Sequence, residues 1–441
     1  MIAWASGISD RGWMPEAGIS GMPILLKDNI ETADMPTTAG SLALSGNAPG
    51  RDAPIVTRLR EAGAVILGKT NLSEWANIRS TNSISGWSAV VGQTRNPYDP
   101  ARTPCGSSAG SAVAVAIGLA PAAIGTETNG SIVCPASVNG VVGFKPTVGL
   151  VSRTHIVPIS HSQDTAGPIA TTVEDAAIVL SVIAGSDPLD PATVEADARK
   201  VDYRAALDAG SLNGARIGVM RFLIANYSAE TQAEFERALQ AMRNAGAELV
   251  EITEGPDMQA VGASLQVLLT ELKVDLNAYL ASTDPAQVPS RSLADLIAFN
   301  AAEPRETVLF GQELFIRAEA TTGLEDPVYI ASRERSLRAA GPEGIDRMMA
   351  THRVVALVAP TTSRAWTNDP TDDDRSQGSS SSLAAVAGYP HLTVPMGFDR
   401  GMPVGISFIG GKWDDAKVLS LGYAFEQRTR ARRAPALQPE G

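Results

Sequence analysis

The segment at residues 105–146, CGSSAGSAVAVAIGLAPAAIGTETNGSIVCPASVNGVVGFKP, carries the pattern that decides how this chain is interpreted. It contains two serine–glycine clusters, GSS at residues 106–108 and NGS at residues 129–131, and the alanine-rich run between them predicts one packed helix. A serine beside glycine, just before an apolar segment, can be approached closely by a substrate and by backbone N–H groups. The clusters therefore indicate a nucleophile with an oxyanion hole.

A lysine lies far upstream, at position 27 of the apolar run MPILLKDNI at residues 22–30, part of which predicts a strand. A serine hydroxyl is a poor nucleophile until a base removes its proton, and a lysine whose pKa is lowered by burial can be that base. The residues therefore favour hydrolysis in which Ser131 attacks, Ser107 passes on the proton and Lys27 receives it. The alternative is a surface lysine together with serines that only form turns.

Two other interpretations use the same glycines. The run GSSAG at residues 106–110 matches the G-x-S-x-G nucleophile elbow with Ser108 as nucleophile. A triad built on this elbow needs a histidine late in the chain, and of the four histidines only His391 lies late enough. A non-enzymatic protein could use these glycines for tight turns. A phosphate-binding loop is not favoured, because the chain has neither GxxxxGK[ST] nor GxGxxG after a strand.

Charge and cysteine content exclude some classes of protein. The net charge of −12 argues against direct nucleic-acid binding, which needs a basic surface. Cys105 and Cys134 are the two cysteines, so the sequence predicts neither a disulfide framework nor a zinc site, and both are interpreted as small buried packing residues.

Nothing in the sequence predicts a membrane span. The longest apolar run, residues 112–124, is too short and is interrupted by Gly118 and Pro121. The first residues lack the basic start and apolar stretch of a signal peptide. We therefore expect a cytoplasmic protein, with a mature secreted form as the alternative.

The rest of the chain predicts an α/β protein of 441 residues, in which short strands alternate with helices. Residues 186–200, SDPLDPATVEADARK, are interpreted as a surface linker, and residues 368–382 as a polar loop or lid. The predicted strands are residues 23–27, 64–67, 215–220, 247–252, 354–358, 391–395 and 404–408, and the predicted helices are residues 53–61, 107–119, 173–184, 229–244 and 416–428. The unit at residues 215–252 is predicted to be βαβ with parallel strands, and residues 258–341 a helical cap.

The chain resembles the amidase signature family. The resemblance rests on residues 105–146 and on further blocks in family order: PILLKDNI, AGAVILGKTNLSEWA, GQTRNPYDP, GVVGFKPTVGLVS, SQDTAGPIA, AGYPHLTVPMG and GMPVGISFIG. It implies a large mixed, twisted sheet covered by helices on both faces. It also implies a single domain over residues 1–441, with a signature core at about residues 20–185 and the helical cap at about residues 258–341.

The resemblance also implies the site residues of an amide hydrolase. The nucleophile would be Ser131, the bridging serine after a cis peptide bond would be Ser107, and the base would be Lys27. The remaining implied groups are the oxyanion-hole N–H groups of Thr128, Asn129 and Gly130 and a supporting hydrogen bond from Ser108. The reaction would need no metal and no cofactor.

Two segments, LIAFN at residues 296–300 and FGQEL at residues 310–314, resemble those of members that cleave C-terminal carboxamides of peptides. The alternatives are aryl acylamides, esters or carbamates with the same mechanism. An amidase component of a tRNA-dependent amidotransferase is less favoured, since it would need a partner protein. We expect a small-molecule or peptide amide substrate, no nucleic-acid or membrane partner, and a monomer or homodimer.

The chain departs from the family pattern in two places. Asn129 stands where many members have a second glycine and where members acting on peptide amides have an acidic residue. Members usually carry several dozen residues of helix before the lysine strand, whereas Lys27 comes almost at once here, so this N-terminal segment is expected to be missing.

Overall fold

A ten-stranded mixed sheet forms the centre of the computed structural model, which describes residues 18–368 and 378–436. The strands are β1 (Pro23–Lys27), β2 (Val65–Thr70), β3 (Trp87–Ser88), β4 (Gly92–Gln93), β5 (Ala122–Glu127), β6 (Val142–Lys145), β7 (Thr165–Ala170), β8 (Arg216–Met220), β9 (Glu248–Ile252), β10 (Ala356–Pro360), β11 (His391–Asp399) and β12 (Met402–Ile409). The strand order is β2-β1-β5-β7-β6-β11-β12-β10-β8-β9, and β3 and β4 form a separate short ribbon. Pairing is parallel at both ends of the sheet and antiparallel in the middle, so the predicted mixed sheet is confirmed.

Helices cover both faces of this sheet. They are α1 (Pro54–Glu61), α2 (Ala109–Ala116), α3 (Val133–Val138), α4 (Val173–Ile183), α5 (Ala196–Arg199), α6 (Ala229–Asn244), α7 (Met258–Gly262), α8 (Ser264–Ala281), α9 (Leu293–Ala302), α10 (Pro304–Thr307), α11 (Glu313–Glu319), α12 (Pro327–Ala340), α13 (Arg347–His352), α14 (Ser381–Ala387) and α15 (Asp415–Thr429), with a π-helical turn at Gly341–Asp346. Two successive residues of β10 point to opposite faces of the sheet. Val358 packs in the core between the sheet and helices α4, α6 and α15, and Leu357 packs in the core between the sheet and helices α12 and α14. The predicted βαβ unit is present, with β8 and β9 parallel.

Some element boundaries differ from the sequence prediction. The helix predicted at residues 107–119 covers only Ala109–Ala116, because Ser108 has a non-helical ψ of 43° and Gly118 has a left-handed φ of 79° that ends it. The strand predicted at residues 64–67 continues to Thr70, where it pairs with Lys27 of β1.

Residues 186–200 lie mostly at the surface as predicted, but two of their acidic side chains are held inside the fold. Asp187 and Asp190 are buried, and Asp190 accepts two hydrogen bonds of 2.9 Å from the backbone N–H and Nε of Arg153. Asp187 accepts a 2.6 Å hydrogen bond from Ser152. Acidic residues that find a cation and N–H donors inside the fold are held there, although their composition is typical of a solvated loop.

The residues predicted as a helical cap form helices α7–α12, and no strand occurs among residues 258–341, all of which the structure describes. Arg79, a fully buried residue of the signature core, lies 2.9 Å from Glu74 and 3.4 Å from Glu306 of α10. Glu306 also accepts hydrogen bonds from Ser41 and the Leu42 N–H. Charge-assisted contacts of this kind tie the helical region to the signature core.

Cys105 and Cys134 form a disulfide with their Cα atoms 6.0 Å apart, so they are more than the small packing residues that the sequence suggested, which left open whether the two are in contact. Their separation of 29 residues gives no sign of this proximity, which arises only when α2 and α3 are brought together over the sheet.

Some predictions lie outside the described residues. The prediction about the N-terminal segment falls on residues 1–17, and both these residues and residues 369–377 of the predicted loop are outside the described part. Among the described residues no helix is long and apolar enough to cross a membrane. The single-domain boundaries stay a prediction.

Candidate active site

Lys27 is the last residue of β1, which lies between the edge strand β2 and β5, and it is completely buried. Removal from water lowers its pKa to about 7, although the nearby carboxylates of Asp164 and Glu127 act in the opposite direction. At neutral pH a substantial fraction of this lysine is therefore an uncharged amine, which is the form that can accept a proton.

Three oxygen atoms surround the Lys27 Nζ. It lies 2.6 Å from Ser107 Oγ, 2.8 Å from Thr126 Oγ1 and 3.2 Å from the carbonyl oxygen of Thr126. The carbonyl can only accept, and Thr126 Oγ1 already accepts a 2.9 Å hydrogen bond from Asn29. An uncharged amine can donate to both Thr126 oxygens, which leaves its lone pair for the proton of Ser107.

The two serine clusters meet beside this lysine. The backbone N–H of Ser108 donates to the carbonyl of Ser131 at 3.1 Å. Ser107 follows a cis peptide bond after Gly106, as the family resemblance implied, and is fully buried, whereas Ser131 is 9% exposed. A Cβ at Gly106 would lie 2.1 Å from Ser73 Oγ, so no larger residue fits there. Within the described part of the chain, no hydrogen bond joins the Ser131 hydroxyl to Ser107, and catalytic hydrogen bonds often tighten only around the substrate.

The turn before Ser131 has unused hydrogen-bond donors. In the described residues, the N–H groups of Thr128, Asn129 and Gly130 donate to no protein acceptor. The turn is held at both ends, because Thr128 donates to Asp164 at 2.5 Å and Glu127 accepts from the backbone just beyond Ser131 (Ile132 N–H at 2.8 Å and Val133 N–H at 3.0 Å). Fixed donors that point at no protein group are what an oxyanion hole requires.

Asn129 links the turn to the start of α14. Its Oδ1 accepts a 2.7 Å hydrogen bond from Ser381, and its Nδ2 lies 3.4 Å from Ser382 Oγ. The sequence pattern places these serines only in a polar loop, and it does not single out Thr126, Asn29 or Glu127. A motif shows which residues are adjacent in sequence, and these contacts join residues that are distant in sequence.

The elbow hypothesis fails on its geometry. Ser108 is fully buried, and its hydroxyl bridges the backbone of Thr126 by donating to the carbonyl at 3.1 Å and accepting from the N–H at 3.2 Å. His391 lies inside β11, bonded to Ser407 at 2.6 Å, and burial lowers its pKa to about 3. A histidine held there does not act on Ser108.

A cavity of about 340 Å³ borders this turn. Its wall combines polar groups with apolar ones, and α8 of the helical region supplies part of it. The lining residues are Asn29, Ala76, Thr126, Thr128, Arg153, Thr154, Ile156, Val157, Pro158, Ile159, His161, Asp164, Thr165, Leu189, Asp190, Asp275, Ala278 and Tyr279. Burial raises the pKa of Asp164 to about 6. The cavity is of the size and mixed character typical of small-ligand sites.

Potential metal ligands meet at the edge of this cavity, in a cluster that no sequence motif reveals. Atoms of His161, Glu271 and Asp275 lie within 4.8 Å of one another. The Glu271 oxygens already accept hydrogen bonds from Ser160, Ser162 and Tyr329, so they are used without an ion. We interpret the cluster as a hydrogen-bond network that joins α8 to the signature core.

Chelators are accordingly expected to leave activity unchanged. Dialysis against a strong chelator, followed by an activity assay and metal analysis, checks this. Loss of activity that added metal restores would show that the cluster, or another site, holds a required ion.

The chain belongs to the amidase signature family: the family model described as Amidase matches residues 3–419. The peptide amidase of Stenotrophomonas maltophilia is 55% identical in sequence, with a TM-score of 0.91 over 96% of this chain and 85% of that one. A probable amidase of Arabidopsis thaliana is 40% identical over 95% of this chain and 78% of its own length. A glutamyl-tRNA(Gln) amidotransferase subunit of Roseiflexus castenholzii is 37% identical over 96% of this chain and 85% of its own length.

These similarities confirm three predictions made from the sequence. The family is the one that the signature segments indicated, the fold is the amidase signature fold, and the protein is an amide hydrolase.

Proposed function

We propose that the protein hydrolyses amides through a Ser-Ser-Lys triad in which Ser131 is the nucleophile, Ser107 the bridging serine and Lys27 the base. The observation that carries the proposal is the 2.6 Å contact between Lys27 Nζ and Ser107 Oγ in a fully buried setting. No other group in the described part of the site both contacts a serine of the two clusters and has a pKa lowered to about 7. Activation of a serine by an adjacent neutral base is an established route to an acyl-enzyme.

The reaction follows from this arrangement. Ser131 Oγ bonds to the carbonyl carbon while its proton passes to Ser107, whose own proton passes to Lys27. The N–H groups of the turn at residues 128–131 stabilise the oxyanion, each by about 3 kcal/mol in the transition state. The C–N bond then breaks as the leaving nitrogen takes the proton from Lys27 through Ser107, and water releases the acyl group by the same path.

The substrate that we propose is the C-terminal carboxamide of a peptide, which would release ammonia. Support comes from the 55% identity to a peptide amidase and from the mixed polar and apolar cavity beside the turn. Ammonia release from an N-acetylated peptide amide, with an anilide and an aryl carbamate in parallel and Ser131→Ala as the blank, tests it. Activity on the anilide or carbamate alone would keep the mechanism and reject the substrate.

A role as one component of an amidotransferase is the second candidate, favoured by the 37% identity to a protein of that kind. Because such proteins are named as subunits, this role predicts a second protein that co-purifies and glutamine-dependent transfer to aminoacyl-tRNA. Ammonia release by the isolated chain from a peptide amide, without glutamine activity, would decide against it. Size-exclusion chromatography of the same sample would test the predicted monomer or homodimer.

Activity is expected to depend on pH through Lys27. Its pKa is lowered to about 7, so the amine is protonated and inactive below that pH and free to act above it. We expect kcat/KM to rise about tenfold per pH unit on the acid side and to level off above pH 7. A profile that instead falls through pH 7 as the pH rises would contradict Lys27 as the base.

The Asp164 carboxylate near Lys27 allows a second test of the assignment of Lys27 as the base. The Asp164 carboxylate raises the pKa of Lys27, and burial raises the pKa of Asp164 itself to about 6. Protonation of Lys27 and protonation of Asp164 therefore both affect the acid side of the pH–activity profile. Asp164→Asn removes a negative charge, and the midpoint should therefore move to lower pH. An unchanged midpoint would assign the acid limb to another group.

The location of the protein is open to a similar test. The sequence led us to expect a cytoplasmic protein, with a mature secreted form as the alternative. The disulfide favours the secreted form, because such bonds persist mainly in oxidising compartments. We therefore propose an exported form. Fractionation of the native cells should place the activity outside the cytoplasm, and activity confined to the cytoplasmic fraction would reject this proposal.

A further inference from the structure

The disulfide lies directly beside the two serines of the proposed triad. Cys105 precedes Ser107 by two residues, and Cys134 follows Ser131 by three. The bond therefore joins the segment that carries one hydroxyl to the segment that carries the other.

The two segments have different supports in the rest of the fold. The Ser107 segment is anchored away from the turn, because its carbonyl accepts a 3.0 Å hydrogen bond from the Ser73 N–H. Ser131 follows the turn with the unused N–H groups and precedes α3, a helix of only six residues. A backbone hydrogen bond of 3.1 Å from Ser108 to Ser131 also crosses between the segments. The disulfide is the covalent part of this connection.

The disulfide joins a buried cysteine to a half-buried one. Cys105 is 6% exposed and belongs to a small apolar cluster with Val138, Ala365 and Met402, against which the half-buried Cys134 packs. Close packing transmits a shift of one sulfur to the backbone on both sides.

We propose that the Cys105–Cys134 bond is a positioning element of the reaction, which holds the Ser107 and Ser131 hydroxyls close enough for proton transfer. This inference rests on the proposed function. Transfer needs hydrogen-bond reach of about 2.6–3.2 Å between the oxygens. Misplacement by about 1 Å can slow a reaction about 100-fold. Breaking the bond therefore slows acylation in protein that is still folded.

The test compares the oxidised protein with protein reduced by a water-soluble phosphine. The phosphine is oxidised to its oxide with the oxygen of water, and each sulfur gains a proton. At 25 °C, with circular dichroism showing folded protein, we expect kcat on an N-acetylated peptide amide to fall by about 10–100-fold while KM changes less than about twofold. Reoxidation with diamide should restore kcat, and the C105S/C134S variant should behave like the reduced protein.

Met402→Ala is the matched control, because it removes a buried side chain from the same apolar cluster and leaves the bond intact. It should lower the melting temperature and leave kcat unchanged. If the double variant fails to fold, reduction of the folded wild-type protein still decides.

Two results would overturn the inference. One is a reduced protein that is less stable but has the kcat of the oxidised form, which would make the bond purely structural. The other is the titration of two free thiols in unreduced, denatured protein. Failure of the proposed function would look different, because Ser131→Ala would then retain activity in either redox state.

Discussion

Ser131→Ala is expected to lower kcat for amide hydrolysis by roughly 10⁵–10⁶-fold, the scale seen when a serine nucleophile is removed. The substitution deletes one oxygen at a site that is 9% exposed and leaves the turn, Glu127 and the N–H groups in place. Folding stability should therefore change little. Ammonia release and denaturant unfolding of the same preparation measure the two effects separately.

Ser108→Ala is the matched comparison, since it removes a neighbouring serine hydroxyl of the same signature segment. It leaves the N–H of Thr126 without its 3.2 Å partner in a buried position, whereas the Thr126 carbonyl loses its 3.1 Å partner but keeps the Lys27 Nζ at 3.2 Å. An unsatisfied buried N–H costs about 1–3 kcal/mol, so this variant should lose stability more than activity. An active Ser131→Ala beside an inactive Ser108→Ala would transfer the nucleophile to Ser108.

Lys27→Met is expected to reduce kcat by roughly 10⁴-fold or more, because it removes the proposed base while keeping an unbranched chain of similar length. Ser107 then loses the nitrogen 2.6 Å from its hydroxyl. Lys27→Arg should be similarly inactive, because a guanidinium stays protonated at working pH. Steady-state kinetics on the peptide amide, across the pH range in which the wild type is active, check both variants.

Lys145 provides the control for this experiment. It is also fully buried, and burial lowers its pKa to about 8. Its Nζ donates to the Pro146 carbonyl at 3.0 Å rather than to a serine of the signature segment. Lys145→Met should therefore keep most of the activity. Loss of activity in Lys145→Met but not in Lys27→Met would show that the wrong lysine has been assigned.

Much of the fold is determined by local sequence patterns. Helices such as Ala229–Asn244 show the apolar periodicity and the N-terminal serine cap that a helix needs. The βαβ unit at residues 215–252 follows from that helix lying between two apolar strands. The signature segments are long enough to identify the family and, with it, the residue types at positions 27, 107 and 131.

The central strands of the sheet were not predicted. AAIGTE, VGFK and TAGPIA, which form β5, β6 and β7, are buried on both faces and rich in alanine and glycine. They lack the polar–apolar alternation that reveals a strand in isolation, and their β-branched residues are interspersed with alanine and glycine. Their place in the sheet is set by the helices that cover them.

The sequence by itself determined the family, the mixed sheet and the identity of the three proposed triad residues, because these are properties of contiguous segments. Only the tertiary structure decided that Thr126 supports Lys27, that Asp190 pairs with Arg153, and that Cys105 is bonded to Cys134. Each of these contacts joins residues 29 to 99 positions apart. Such distances close only when the strand order and the helix packing are fixed, and a local pattern does not contain that order.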